Sequence, residues 1–340
     1  MGAMRLRAGE FVVLISEAAG FKTGIALNGN QLAELFESES SAIEPFLLPE
    51  DQWFRIRAED IDETFAQVLY KLGNINSPST IPSWVRLLHK YQGNAELLAM
   101  YMAISKLFSE EIELMIDSAS ESENKAFDPT GFFRKAAALY GQDGLQMAFE
   151  IITGRAEDQH RNLSEFRRVE WENTIELEDL FSAESLEASY GKFLDQRYID
   201  YLHRNQDRLG HMNWRKFEGL TAEFFDRQGY KVEIGAGRND GGIDVRVWKE
   251  NISPEDPPLI LIQCKRYKEK IDKTVVKTLW ADMQWEKASS GLIVTTSALS
   301  PGAKKDCVAR GYNIHQADRF VISNWLDQLK TPGTGIFMGN

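Results

Sequence analysis

The amino-acid sequence predicts an α/β domain towards its C-terminus, with a central mixed sheet of about four or five strands flanked by helices. Before that, it predicts a mostly helical domain with a small β element. Short apolar runs alternate with helical patterns after residue 205, and helical periodicity dominates the chain before it. The length of 340 residues suits two or three domains.

Residues 1–204 are expected to form the helical domain. The run EFVVLISE at positions 10–17 is rich in β-branched residues and predicts a strand, and QWFRIR at 52–57 predicts a second one. No catalytic constellation is recognisable in this part. Apolar residues recur at helical spacing in three segments, which predicts helices at about 60–115, 131–153 and 183–204.

Residues 205–330 are expected to form the α/β domain, and residues 331–340 a C-terminal tail. Asn213 is a candidate cap for a helix that stops near Gly229. This part alternates between strands and helices, which indicates a sheet covered by helices. The predicted strands are KVEIG, IDVRVW, LILIQCK, GLIVTT and YNIHQ, and the further helices are TVVKTLWADMQWEKA, SPGAKKDCVARG and VISNWLDQL.

Charge is unevenly distributed along the chain, whose formal net charge is −12. Residues 205–340 have 20 basic and 17 acidic side chains, a net charge of +3, whereas residues 1–204 have 19 basic and 34 acidic ones, a net charge of −15. The C-terminal part is compatible with a polyanionic partner, whereas the N-terminal part would repel one. Two ordinary solvated surfaces would explain the same distribution.

The sequence argues against several other classes of protein. No apolar run reaches the roughly 18 residues of a membrane span, and no basic segment followed by an apolar one indicates a secretion signal. The two cysteines, Cys264 and Cys307, are too few for a disulfide framework and lack the spacing of a metal knuckle. A cytoplasmic protein without a membrane partner is therefore expected.

Polar side chains interrupt two strands of the predicted sheet. In a strand, residues two apart share a face, so Gln263 and Lys265 project together from LILIQCK. In IDVRVW, the same alternation separates Asp244 from its apolar neighbours. If the two strands pair, Asp244 approaches Gln263 and Lys265 at one end of the sheet. Gly241 and Gly242, just before the aspartate, leave room for the backbone of a substrate.

Such a group of side chains suits metal-dependent phosphodiester chemistry. The Asp244 carboxylate, the Gln263 amide oxygen and the backbone carbonyl of Cys264 are oxygen ligands of the kind that Mg²⁺ prefers. Lys265 beside them can orient an attacking water or stabilise charge that develops on a phosphate. On spacing alone, an Asp–Lys ion pair at a sheet edge with a surface glutamine is the structural alternative.

Four motifs follow one another in the C-terminal part: the Phe-Glu helix FEGLTAEFFDRQGY, the strand GGIDVRV, the strand LILIQCKRYK and the strand end GLIVTTSALSPGAKKD. In this order they resemble the Mrr-like restriction endonuclease family of the PD-(D/E)xK nuclease superfamily. The resemblance covers about residues 210–327. It implies a restriction-endonuclease-like fold and metal-dependent hydrolysis of DNA, often in the restriction of foreign or modified DNA.

By position, the resemblance implies that Asp244 binds metal, that Lys265 is the catalytic lysine and that Glu218 completes the metal site. Gln263 stands where the wider superfamily has an acidic residue, as it commonly does in the Mrr-like branch. A neutral ligand attracts Mg²⁺ less strongly, which leaves the metal affinity open. Glu223, five positions after Glu218, is the alternative acid.

Several other polar residues are candidates for contacts with DNA phosphates. Each also has an ordinary explanation, as part of a polar turn, a strand-end cap or a solvated helix face. The candidates are Arg238, Asn239, Lys273, Lys277, Thr296 and Ser297.

The sequence therefore predicts a Mg²⁺-dependent DNA endonuclease, with Mn²⁺ as a substitute, that acts in restriction or antiviral defence. Cutting both strands at once implies a homodimer or higher homo-oligomer. The acidic N-terminal domain is expected to serve regulation, oligomerisation or the binding of a protein partner. The alternative is a nucleic-acid-binding or regulatory protein that keeps a nuclease scaffold without cutting. The preference for DNA over RNA rests on the resemblance alone.

Overall fold

A computed structural model describes residues 3–36, 40–118, 125–163, 171–237, 242–252, 256–266, 269–330 and 336–338. The chain folds as two compact units, which are residues 1–175 with 331–340, and residues 176–330. Within the described ranges, no helix is long and apolar enough to cross a membrane.

The first unit is mostly helical and has a small β element near its start, as predicted. Strands β1 and β3 form a two-stranded antiparallel sheet. The strands are β1 (Met4–Arg7), β2 (Ile25–Ala26), β3 (Trp53–Ile56) and β4 (Lys125–Phe127), and β5 (Ile175–Glu176) spans the boundary in the sequence. The helices are α1 (Ala8–Thr23), α2 (Gly29–Leu35), α3 (Ser40–Leu47), α4 (Ala58–Lys71), α5 (Ser83–Tyr91), α6 (Ala95–Ser118) and α7 (Thr130–Arg161).

The strand predicted at residues 10–17 is wrong, because these residues belong to α1. The buried positions explain the difference. Phe11, Ile15 and Ala19 recur every four residues and are each 0% exposed, which is helical spacing. Burial of this face outweighs the β-propensity of the valines and isoleucine, since propensity is a weak preference that tertiary packing overrides.

The second unit contains one mixed sheet with strand order β10-β9-β8-β7-β6. Strand β7 runs antiparallel to both β6 and β8, whereas β8, β9 and β10 are parallel to one another. This confirms the predicted fold class. The strands are β6 (Tyr230–Ile234), β7 (Val245–Lys249), β8 (Ile260–Lys265), β9 (Ser290–Thr295) and β10 (Ile314–Ala317). The helices are α8 (Asp179–Ser182), α9 (Gln196–Arg204), α10 (Trp214–Arg227), α11 (Lys273–Glu286), α12 (Pro301–Arg310) and α13 (Arg319–Leu329), with a 3-10 turn at Gln206–Gly210.

Strand β8 lies at the centre of this sheet between two layers of helices. Leu261 packs in one apolar cluster with Leu279 and Met283 of α11. On the other face, Sγ of Cys264 lies 3.5 Å from Oγ1 of Thr221 on α10. Residues of opposite parity in β8 therefore serve opposite layers, which fixes the register of the strand.

Only the last part of the helix predicted at 183–204 is helical, as α9. The physical reason is Asp195, which caps that helix and holds the preceding chain in a loop. Its Oδ2 accepts hydrogen bonds from the N–H groups of Ser189 at 3.1 Å and Tyr190 at 3.3 Å. These bonds offer the backbone an alternative to continuing a helix.

The division of the chain differs from the predicted boundary between residues 204 and 205. Helix α9 packs on α13, and Nε2 of Gln196 donates to the carbonyl of Leu329 at 2.9 Å. Residues 196–204 therefore belong with the sheet. In the predicted tail, β11 (Ile336–Met338) pairs antiparallel with β4 of the first unit.

Asp195 and Arg197 form an ion pair in which each side chain is 1% exposed. Nε of Arg197 donates to Oδ1 at 2.7 Å, and Nη2 donates to Oδ2 at 2.8 Å. Burial would raise the pKa of Asp195, but the hydrogen bonds and charge of Arg197 bring that pKa below its usual value. A lowered carboxyl pKa stabilises the fold above the pKa of the unfolded chain, about 4, and this stability is lost as the pH falls through the folded pKa.

We expect Asp195→Asn to lower the free energy of unfolding at pH 7 by about 3–5 kcal/mol, because Arg197 stays buried without its partner charge. The stability of this variant should also fall less than that of the wild type between about pH 5 and pH 2. Urea unfolding at several pH values measures both effects. Asp318→Asn is the control, because Asp318 caps α13 through backbone N–H groups and asparagine caps equally well. Equal pH profiles for the wild type and Asp195→Asn would contradict this account.

Candidate active site

The side chains of Asp244 and Gln263 form hydrogen bonds between the two chain segments just beyond the paired residues of β7 and β8. The ladder of β7 begins at Val245. Just before it, Oδ2 of Asp244 accepts the N–H of Cys264 at 2.6 Å, in the place of a backbone carbonyl. Nε2 of Gln263 donates to the carbonyl of Gly242 at 2.9 Å. The structure thus brings the aspartate and the glutamine together where the two strands separate.

Gly242 permits this arrangement through its backbone conformation and its lack of a side chain. Its φ is +91°, in the region that favours glycine, and a Cβ there would lie 3.3 Å from Nε2 of Gln263. A larger residue would therefore be strained and would crowd the amide. Gly241, predicted to share this role, lies outside the described residues.

The Gln263 amide is buried, 5% exposed, and its two ends have different surroundings. A carbonyl only accepts hydrogen bonds, so the bond to Gly242 assigns Nε2 to that side. Oε1 then points away, and within the described residues it is buried without a hydrogen-bond partner. An unsatisfied buried acceptor costs about 1–3 kcal/mol, which a bound cation would offset.

Oxygen donors at this place fit a hard divalent cation. The described residues contain no group of three or more His, Cys, Asp or Glu side chains that could hold a metal. A cation here would therefore depend on the Gln263 oxygen and on backbone oxygen as well as on carboxylates. Such mixed oxygen sets are typical of Mg²⁺ sites, which also keep several waters.

Glu218 on α10 is a buried acid on the helix that covers the end of β8. Its side chain is 4% exposed, and Oε2 accepts a hydrogen bond from Nη1 of Arg215 at 2.8 Å. Burial, followed by the charge of Asp244 and with a smaller contribution from Glu218, raises the pKa of the Cys264 thiol well above its usual value. Thr221, three positions after Glu218 on α10, contacts Sγ of Cys264, and the N–H of Cys264 donates to Asp244, so Glu218 lies on the face of α10 that covers this strand end.

Glu223, the alternative acid, has a structural task elsewhere. Oε2 accepts the backbone N–H groups of Lys192 at 2.9 Å and Phe193 at 2.7 Å. Oε1 accepts from Nε of Arg227 at 2.8 Å. These bonds join the loop before α9 to α10 and give Glu223 a structural role, so Glu218 remains the candidate acid of this helix.

Lys265 lies at the end of β8, beside the end of β9. The two strands are parallel, and Lys265 is aligned with Thr295. The candidates Thr296 and Ser297 follow directly, and the N–H of Ser297 donates to Oγ1 of Thr295 at 3.1 Å. Carboxyl ends of parallel strands meet at one edge of a sheet, so these residues share the edge of Lys265.

The remaining candidates are less directly connected to the site. Lys273 and Lys277 are exposed on α11, and Nζ of Lys277 lies 3.6 Å from Oδ2 of Asp306. Arg238 and Asn239 fall outside the described residues.

Arg215, Thr221 and Arg266 were not among the residues predicted for the site. Arg215 precedes Glu218 by three positions on a helix, a spacing at which opposite charges meet, and this signal was present in the sequence. Thr221 contacts Cys264, and Nη1 of Arg266 donates to the carbonyl of Gly210 at 3.3 Å. The latter contacts join distant segments, so only the fold reveals them.

Residues 209–326 match the family model Mrr_cat, described as restriction endonuclease. This confirms the predicted resemblance for that part of the chain and supports a DNA nuclease. Among solved structures, the chain is similar to "MspJI Restriction Endonuclease in Complex with 27-mer Oligonucleotide", with 15% identity and a TM-score of 0.26. That match covers 52% of this chain and 41% of the other, so this chain spans about two fifths of it. No curated protein matches the chain.

We expect Gln263→Glu to lower the free energy of unfolding in EDTA by about 1–3 kcal/mol, because a carboxylate cannot donate to the Gly242 carbonyl and adds charge beside Asp244. Mn²⁺ should restore more stability to this variant than to the wild type, since ligand that binds the folded state stabilises it. Thermal unfolding with and without Mn²⁺ measures both. Gln284→Glu makes the same change at an exposed position of α11 and should behave as the wild type. Unchanged stability of Gln263→Glu in EDTA would show that the amide does not hold Gly242.

Proposed function

We propose that the restriction endonuclease domain at residues 209–326 hydrolyses phosphodiester bonds in DNA and uses a divalent cation as its cofactor. The observation that supports this most is the buried Oε1 of Gln263, which lacks a partner among the described residues. The next residue of β8 is Cys264, whose backbone N–H donates a hydrogen bond to Oδ2 of Asp244. An unpaired buried oxygen is unfavourable, and a bound cation would satisfy it.

Four groups of this chain would hold Mg²⁺, or Mn²⁺ in its place: the carboxylates of Asp244 and Glu218, Oε1 of Gln263 and the backbone carbonyl of Cys264. When bound, the cation would polarise the scissile phosphate and ease the deprotonation of water. The hydrogen bond from Cys264 N–H keeps the Asp244 carboxylate oriented. The bond to Gly242 does the same for the Gln263 amide. Fixed donors of this kind need no rearrangement during the reaction.

Lys265 supplies positive charge at the same edge. Its ammonium group would orient the attacking water or stabilise the charge that develops on the phosphate. Thr296 and Ser297 at the end of the neighbouring strand, together with Lys273 and Lys277, would contact DNA phosphates. Such contacts position the duplex without reading its sequence.

Beyond the site, we propose a cytoplasmic enzyme of restriction or antiviral defence that works as a homodimer or higher homo-oligomer. Two copies would bring one site to each strand of the duplex. Residues 1–204 have a net charge of −15, which disfavours duplex binding because phosphate contacts need cations. We therefore assign this part to regulation, oligomerisation or a protein partner. Salt-dependent binding of duplex DNA by an isolated fragment of residues 1–204 would contradict that assignment.

The second candidate function is a nucleic-acid-binding protein that keeps the scaffold but does not cut. The neutral Gln263 favours it, because a neutral ligand attracts a cation less than a carboxylate does. Retention of duplex DNA by the wild type, with intact DNA in both Mg²⁺ and Mn²⁺, would establish this alternative.

With Mg²⁺, the wild type is expected to nick or linearise supercoiled plasmid, and Asp244→Asn or Lys265→Ala should lower the rate at least about 100-fold, because each removes a group that acts on the transition state. Gel analysis over time measures the rates. Glu233→Gln and Lys231→Ala remove the same charges from exposed positions of β6 and should cut as the wild type does. Equal rates for all five proteins would show that the cleavage belongs to a contaminant or to another site.

A further inference from the structure

Helix α10 carries two arginine–glutamate ion pairs of similar geometry. Nη1 of Arg215 lies 2.8 Å from Oε2 of Glu218, and Nε of Arg227 lies 2.8 Å from Oε1 of Glu223. Both glutamates are buried, with side chains 5% and 3% exposed. The two pairs therefore look alike when considered on the helix alone.

The two ion pairs have different surroundings, which give the two glutamates different roles. The carboxylate of Glu223 is also bonded to the backbone N–H groups of Lys192 and Phe193, so its charge is matched by structural donors. Glu218 lies three positions before Thr221, whose Oγ1 is 3.5 Å from Sγ of Cys264, so Glu218 shares the face of α10 that covers this end of β8. Arg215 is thus the cation that balances an acid of the candidate metal site.

Arg215 also reaches from this acid towards the surface. Its side chain is 17% exposed, although its partner is buried. Gly237, at the start of the glycine-rich turn, has a φ of +88°, and a Cβ there would lie 3.3 Å from Nη1 of Arg215. Gly237 therefore lies beside the guanidinium group.

A guanidinium group has five N–H donors in a planar fork, so it can bind either a carboxylate or a phosphate with two parallel hydrogen bonds. A divalent cation bound at Glu218 would replace the charge that Arg215 now supplies, and two cations at one carboxylate repel each other. When DNA is bound, its phosphates offer a displaced arginine a new anionic partner, since arginine is among the residues that bond phosphate oxygens in protein–DNA complexes.

We propose that Arg215 is a positioning residue that exchanges partners: it neutralises Glu218 while no cation is bound, and it binds a DNA phosphate once a cation occupies the site. This rests on the proposed function, since it requires the cation and the DNA. In this exchange, Arg215 opposes cation binding at Glu218 and then contributes to DNA binding. Binding of the cation and binding of DNA are therefore coupled.

The first test is metal affinity without DNA, measured by the electron paramagnetic resonance signal of free Mn²⁺. Arg215→Gln should bind Mn²⁺ about fivefold or more tightly than the wild type, because a positive charge a few ångströms away is removed. Arg215→Lys keeps the charge and should stay near the wild type. Arg227→Gln, the matched change on the same helix, should also stay near the wild type. Equal or weaker Mn²⁺ binding by Arg215→Gln would overturn the proposal.

The second test is the salt dependence of duplex binding, measured by fluorescence anisotropy in a Lys265→Ala background that keeps the DNA intact. With Mn²⁺, adding Arg215→Gln should reduce the slope of log K against log salt by about 1, the value for one phosphate contact. In EDTA the two slopes should agree, because Arg215 then remains with Glu218. Equal slopes in Mn²⁺ would overturn the proposal, as would a difference that persists in EDTA.

The outcomes also separate this inference from the function on which it rests. If the wild type neither binds Mn²⁺ nor cuts DNA, both the proposed function and the inference about Arg215 are wrong. A wild type that binds Mn²⁺ and cuts, beside an Arg215→Gln protein with the same Mn²⁺ affinity and salt slope, leaves the proposed function standing and removes this inference alone.

Discussion

The amide of Gln263 is the interaction on which the rest of the site depends. Strands β7 and β8 separate at this end of the sheet, and the amide nitrogen bonds the Gly242 carbonyl across the gap. The same bond turns the amide oxygen away from the ladder, where it is buried and unpartnered among the described residues. An ionised glutamate could not make this bond, because it has no hydrogen-bond donor. A neutral amide at this position therefore suits the backbone geometry.

The surrounding fold keeps that arrangement rigid. Both faces of β8 are covered, by α11 and α12 on one side and by α10 on the other. Glu223 joins α10 to the loop before α9, and Asp195 joins the same loop to the start of α9. Helix α10 thus carries two buried glutamates, of which Glu218 is the candidate for the site and Glu223 has a structural role. A buried acid on α10 identifies a catalytic role only when its bonding partners are known.

Part of the fold and of the candidate site could be predicted from the sequence. The two-residue period of strands placed Gln263 and Lys265 on one face, and the motif order indicated the sheet and its helices. The helix at 10–17 could not be predicted, because the tertiary core decides between helix and strand there. The choice between Glu218 and Glu223 was also out of reach, since it depends on contacts with residues about 30 positions away.

The central claim is that Gln263 presents an oxygen to a cation while its nitrogen holds the strand end. A crystal structure of the protein with Mn²⁺, recorded at the manganese absorption edge, tests it directly. We predict an anomalous peak within about 2.0–2.4 Å of Oε1 of Gln263 and of an Asp244 carboxylate oxygen, with the bond from Nε2 to Gly242 unchanged. A peak bound elsewhere, or none at this place under saturating Mn²⁺, would contradict the account.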